Sequence, residues 1–205
     1  MSDLKLYIAK ALKIILNPPA LRSCTISKKG KVCSRSELTN VELGDYSYIG
    51  NNCFMVDVSI GKYCSIADRC CIGGVAHAVE HVSTSPVFQK GRNVLKTNFV
   101  LFERPADVLT IIENDVWIGM GAYIKGGVTI HNGAVVGMGS VVTHDIPSYE
   151  IWAGNPAKFI RKRFDDTTIN HLLSINWWDW NEDTIRENAY LFDDPVRFGN
   201  MMFKQ

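Results

Sequence analysis

Residues 112–142 read IENDVWIGMGAYIKGGVTIHNGAVVGMGSVV, and an aliphatic residue returns at every sixth place: Ile112, Ile118, Ile124, Ile130, Val136 and Val142. A beat of six fits neither the helical period of about 3.6 nor the strand alternation of about two; it marks a solenoid of stacked repeats. Each unit is then one short strand and one turn. Toward the N-terminus the same beat runs through Ile26, Val32 and Leu38, then Leu43, Ile49 and Met55, then Ile60, Ile66 and Ile72, with a step of five between triplets. The spacing predicts five coils. Glycine often follows the aliphatic residue (Gly44, Gly50, Gly61, Gly73, Gly119, Gly137), which the sequence explains by unusual backbone angles at a tight corner. Four places after the aliphatic comes a small or β-branched residue: Ser47, Cys53, Cys64, Cys70, Val116, Ala122, Val128, Ala134 or Ser140. Stacked coils would cover one another's aliphatic side chains, each worth roughly 1.5–3 kcal/mol when buried.

Around this beat the composition is ordinary for one globular domain, with 46% hydrophobic and 21% charged residues in 205. Twenty-two Lys and Arg against 21 Asp and Glu leave a net charge of +1, so nothing draws the chain as a whole to nucleic acid. No secretory pattern opens the sequence and no apolar run reaches membrane-spanning length, so the expected address is the cytoplasm. There the six cysteines would be reduced, with Cys53, Cys64 and Cys70 packing in the small-residue slot. Their spacing suggests no metal site.

The expected organisation is an N-terminal amphipathic helix and linker over 1–24, the β-helix over 25–147 with a loop insertion at 74–110, and an extended segment with helices over 148–205. The first helix places Leu4, Ile8, Leu12 and Ile15 opposite Lys5 and Lys13. It is expected to pack on its own protein or a partner subunit, with peripheral membrane contact as the less favoured alternative. Helices are also predicted over Asp166 to Ile175 and near Asp183 to Tyr190, with Trp177, Trp178 and Trp180 capping the final coil.

The interruption between Ile72 and Ile112 opens with GGVAHAVEHVSTSPVF, residues 73–88, and long loops inside compact domains usually carry function. His77 stands at its mouth. With Ser83, Thr84, Pro86 and Phe88 downstream, and with GKYCSIAD at 61–68, DVWIGMGAYI at 115–124, GSVVTHDIP at 139–147, GNPAKFIRKRF at 154–164 and WWDW at 177–180, the chain resembles the hexapeptide-repeat acyltransferases. The resemblance is to their xenobiotic acetyltransferase branch, close to sugar O-acetyltransferases of polysaccharide pathways.

That resemblance implies a mainly β fold, a left-handed parallel β-helix with a loop insertion and a short C-terminal helical cap, assembled as a homotrimer. It implies acetyl-CoA as co-substrate in a groove between prisms, with Trp117 beside the active site, Ala122, Ser140 and Thr143 along the pantetheine path, largely through backbone groups, and Lys158, Arg161 and Lys162 near the phosphates. His77 would be the general base, since an imidazole with an ordinary pKa near 6.5 can take a hydroxyl proton at neutral pH and return it to the leaving thiolate.

Departures bear on the acceptor. Antibiotic-modifying members carry an Asn-Gly-Ala-Asn-His run where this chain reads Gly73-Gly74-Val75-Ala76-His77, the place of His144 is commonly Lys, and Trp152 replaces a smaller aliphatic. The reading favoured is acetylation of a sugar or glycan hydroxyl. Acetylation of chloramphenicol or a streptogramin, N-acetylation of an amino sugar and a non-catalytic scaffold remain open. Cys71 is the rival nucleophile, outside the small-residue column and near His77 in sequence. His81 is read as a wall residue, and His131, His144 and His171 as solvated.

Overall fold

A computed structural model describes residues 7, 8, 12 and 15–202, with the side chains of 201 and 202 left aside. The chain forms a parallel β-solenoid whose strands gather into a nine-stranded and a seven-stranded sheet. All fifteen predicted aliphatic residues stack in register. Leu38, Met55, Ile72, Ile124 and Val142 form one column, Ile26, Leu43, Ile60, Ile112 and Ile130 a second, and Val32, Ile49, Ile66, Ile118 and Val136 a third. All but Ile26 and Val32, in the first coil, are buried. The ladders also extend past the predicted coils, through Leu21 at one end and through Ile146 and Trp152 at the other.

The glycine column has a different cause from the one the sequence suggested. Positive φ falls two places later, at Arg35, Tyr46, Asn52, Tyr63, Arg69 and Asp115, then at Gly121, Gly127, Gly133 and Gly139. Of the six glycines that follow an aliphatic, Gly73 alone has it. The other five are required by close approach: a Cβ on Gly44 would lie 2.6 Å from the Gly61 carbonyl, and one on Gly119 2.5 Å from the Met138 nitrogen. Neighbouring coils touch backbone to backbone there.

The small-residue column is buried throughout, and its Ser and Cys members also reach across coils. Ser47 Oγ donates to the Gly61 carbonyl at 2.7 Å and accepts from the Cys64 amide at 2.8 Å. Cys64 Sγ donates to the Glu113 carbonyl at 2.8 Å, so these thiols are packed and hydrogen-bonded at once.

The last coil runs into an antiparallel hairpin, Glu150–Gly154 with Ala157–Lys162. The helix Asp166–Ile175 follows, capped by Asp165, whose side chain accepts from the Thr168 amide. Glu182–Asn188 is the predicted second helix, and Pro195–Met202 is one that the sequence reading did not place. The Trp cluster lies along a corner of the prism rather than only over its end: Trp177 packs on Tyr63, which stacks on Tyr46, while Lys29 and Tyr46 bond Glu182 from the first coils. Aromatic area and ion pairs together draw the cap sideways. At the N-terminus, Ile8, Leu12 and Ile15 are helical and exposed, whereas Leu4, Lys5 and Lys13 lie outside the described residues. No helix among the described residues is long and apolar enough to cross a membrane.

Candidate active site

The chain leaves the prism at Cys71–Gly73 and returns at Thr110–Ile112. Gly73, at φ +80°, turns it outward where any Cβ would meet the Val56 carbonyl at 2.0 Å. Four residues on, His77 is exposed, and its Nδ1 lies 2.8 Å from the Thr84 carbonyl oxygen. A carbonyl can only accept, so Nδ1 carries a hydrogen and the neutral ring presents its lone pair at Nε2. The Ser83–Phe88 segment is what positions the ring. Ser85 caps a short 3-10 turn, Pro86–Phe88, whose Val87 is buried and whose carbonyls hold a later part of the loop through the Phe99 and Phe102 amides.

His77 lines a cavity of about 190 Å³ with Gln89, Lys90, Arg92, Asn93 and Arg104 among its walls. The sequence reading singled out none of these, and their only linear signal is the run Gln89-Lys90-Gly91-Arg92. His81 belongs elsewhere: it packs edge-on against Phe102 and lines a separate cavity with Glu80 and Glu103. Burial pushes the Cys71 thiol up, which opposes a thiolate nucleophile. His131 pairs with Glu113 at 3.1 Å, and His144 meets Thr143 Oγ1 at 2.9 Å.

The residues expected to hold the co-substrate divide into three settings. Trp117 is exposed on the seven-stranded sheet and shares a cavity of about 370 Å³ with Arg161 on the C-terminal hairpin. Lys158 is exposed beside them in sequence, while Lys162 is tied to Asp166. Thr143 is half-buried next to His144. Ala122 and Ser140 are wholly buried in the small-residue column, with Ser140 Oγ donating to the Gly137 carbonyl at 2.7 Å. Their side chains face the core, so a part for either along a groove is restricted to backbone. None of these residues lines the cavity of His77.

A profile described as bacterial transferase hexapeptide (six repeats) matches residues 109–144. The chain is 34% identical to a probable macrolide acetyltransferase of Lysinibacillus sphaericus, over 78% of this chain and 87% of that one. It is 42% identical to a chloramphenicol acetyltransferase of Agrobacterium fabrum, over 62% of each. Among solved structures, an N-acyltransferase from Bacillus cereus in complex with dTDP and coenzyme A superposes with a TM-score of 0.54 at 18% identity, covering 85% of this chain and 95% of that one, a likeness of fold. With the repeat, its register and relatives matched along most of their length, the chain belongs to the hexapeptide-repeat acetyltransferases.

Proposed function

We propose that this acetyltransferase moves the acetyl group of acetyl-CoA directly to a sugar or glycan hydroxyl, with His77 as general base. The observation that carries the reading is the Nδ1 contact to the Thr84 carbonyl, which leaves Nε2 as acceptor in an open cavity. His77 takes the proton as the acceptor oxygen attacks the acetyl carbon, and returns it to the departing sulfur. A carbon–oxygen bond forms, a carbon–sulfur bond breaks, and no residue is acylated.

Exposed Trp117, Lys158 and Arg161 suit the co-substrate, the two cations toward its phosphates. Lys162 is the weaker member because Asp166 already neutralises it. Since His77 projects from the loop of the nine-stranded sheet and Trp117 from the seven-stranded sheet, we read the complete site as shared between prisms of a homotrimer in the cytoplasm.

His77→Ala should lower kcat by about 10² to 10⁴ with the melting temperature unchanged. Unaltered thiol release by the variant would overturn the assignment. Trimers mixed from His77→Ala and Arg161→Ala subunits should recover part of the lost rate; absence of recovery, with mixing verified, would put the site within one subunit. A second reading, acetylation of an antibiotic, is favoured by the names of the two relatives. Against it stand Gly73 and Ala76 in place of the two Asn residues flanking that branch's motif. Chloramphenicol turned over far faster than any sugar would reverse the order.

A further inference from the structure

The cavity beside His77 is built by a segment that holds itself together. Asn98 Nδ2 donates to the Gln89 carbonyl at 2.6 Å, the Lys90 amide donates to the Phe102 carbonyl at 2.7 Å, and Asn93 closes the following turn by donating to the Thr97 carbonyl at 2.9 Å. Gly91, at φ +106°, makes the bend between them. The Lys90 to Arg92 turn is therefore shaped by hydrogen bonds on both flanks rather than left as a loose tip.

Three cations, Lys90, Arg92 and Arg104, line this cavity, and no Asp or Glu does. Two carboxylates stand behind them: Glu103 pairs with Lys90 at 3.1 Å and Asp107 with Arg104 at 3.7 Å. Both pairs are exposed and weak. Arg92 has no carboxylate within ion-pair distance among the described residues, so the wall beside His77 keeps an uncompensated guanidinium. A second observation points the same way. Gln89 is only 4% exposed, lines the cavity, and its Nε2 has no hydrogen-bond partner among the described residues. A buried amide donor left unpaired is costly, and a small rotation of this side chain toward a group bound in the cavity would relieve it.

We propose that the acceptor is an acidic sugar, its carboxylate or phosphate held by Arg92 with Arg104 and the Gln89 amide while its hydroxyl faces Nε2 of His77. The proposal rests on the O-acetyl-transfer reading and adds the charge of the acceptor to it. Arginine suits the task because its planar fork meets a two-oxygen anion with paired hydrogen bonds. The anion would also favour the imidazolium formed during transfer.

The test uses three probes: methyl glucuronide, glucose 1-phosphate and neutral methyl glucoside. Each is assayed for thiol release with acetyl-CoA, and for binding to His77→Ala protein containing coenzyme A by calorimetry. At least one acidic probe should exceed the glucoside about tenfold or more in both kcat/KM and affinity, the favoured one telling carboxylate from phosphate. Arg92→Gln should erase most of that margin through KM, and 0.5 M NaCl should narrow it. Because Arg92 is exposed, the variant should fold; Gln89→Leu supplies a second, buried probe of the same wall. Equal binding of acidic and neutral probes, unmoved by Arg92→Gln, overturns the proposal and leaves acetyl transfer standing. An Arg92-dependent acidic preference in binding without thiol release from any acceptor supports the anion site and overturns the transfer reading instead.

Discussion

The coils before the loop and those after it make the same prism by different local means. Before it, the left-handed corner is occupied by Arg35, Tyr46, Asn52, Tyr63 and Arg69; from Gly121 onward it is glycine in four successive repeats. The small-residue slot shifts in the same way, from Ser47, Cys53, Cys64 and Cys70 to Val116, Ala122, Val128 and Ala134, with Ser140 ending the series. In the slot itself the earlier half adds side-chain hydrogen bonds between coils where the later half, before Ser140, has apolar contact; elsewhere both halves use them, as when Asn132 Oδ1 accepts from the Asn114 amide at 2.9 Å. Part of the strain has a use: in the earlier half Tyr46 and Tyr63 form the stack on which Trp177 docks, and in the first coil after the loop Asp115, also at a left-handed corner, binds Arg163 of the C-terminal segment at 3.1 Å. A corner residue at positive φ points outward, and an aromatic there becomes a landing place for the cap.

If the halves differ only at corners and slots, their cores should be equally firm. Ile66→Ala and Ile118→Ala, neighbours in one column across the loop and both wholly buried, should each cost about 2–5 kcal/mol by urea unfolding at fixed protein concentration. A much smaller loss for either would mean that its half relaxes around the cavity. The next largest effect is expected at Gly127, whose φ of +81° disfavours any Cβ and whose Cβ would lie 3.0 Å from Val108. Gly127→Ala should cost about 1–2 kcal/mol. Arg69→Gly, in the earlier half, runs the other way. Relief of about 1–2 kcal/mol of left-handed strain is offset by about 0.5–1 kcal/mol of extra freedom in the unfolded chain, leaving a gain of about 0–1.5 kcal/mol. A loss would show that the Arg69 side chain contributes more than its backbone costs.

The same contrast explains what the sequence displayed. Columns of Ile, Leu, Met and Val were legible because burial acts on every sixth side chain and needs no knowledge of the partner coil. The glycines that follow them were visible as a pattern but not as a cause, since the close approach of Gly44 to Gly61 joins residues one coil apart. The left-handed corners were hidden before the loop because four of the five are Tyr or Arg, which do not announce positive φ, and the sideways docking of the Trp cluster was hidden with them. At the candidate site, His77 stood out within a resemblant string, whereas its wall did not. Gln89, Arg92 and Arg104 meet through irregular bonds from Asn93 and Asn98, which follow no period.

The loop departs after Ile72 and returns before Ile112, yet both residues sit in register with the coils above and below, as if nothing intervened. The scaffold is therefore indifferent to what is inserted there. A lineage built on this prism can exchange some forty residues as one cassette, His77 and its cationic wall included, while the stacked core inherits no correction. The proposed base and the acceptor wall beside it are inherited together in such a molecule, apart from the core that carries them.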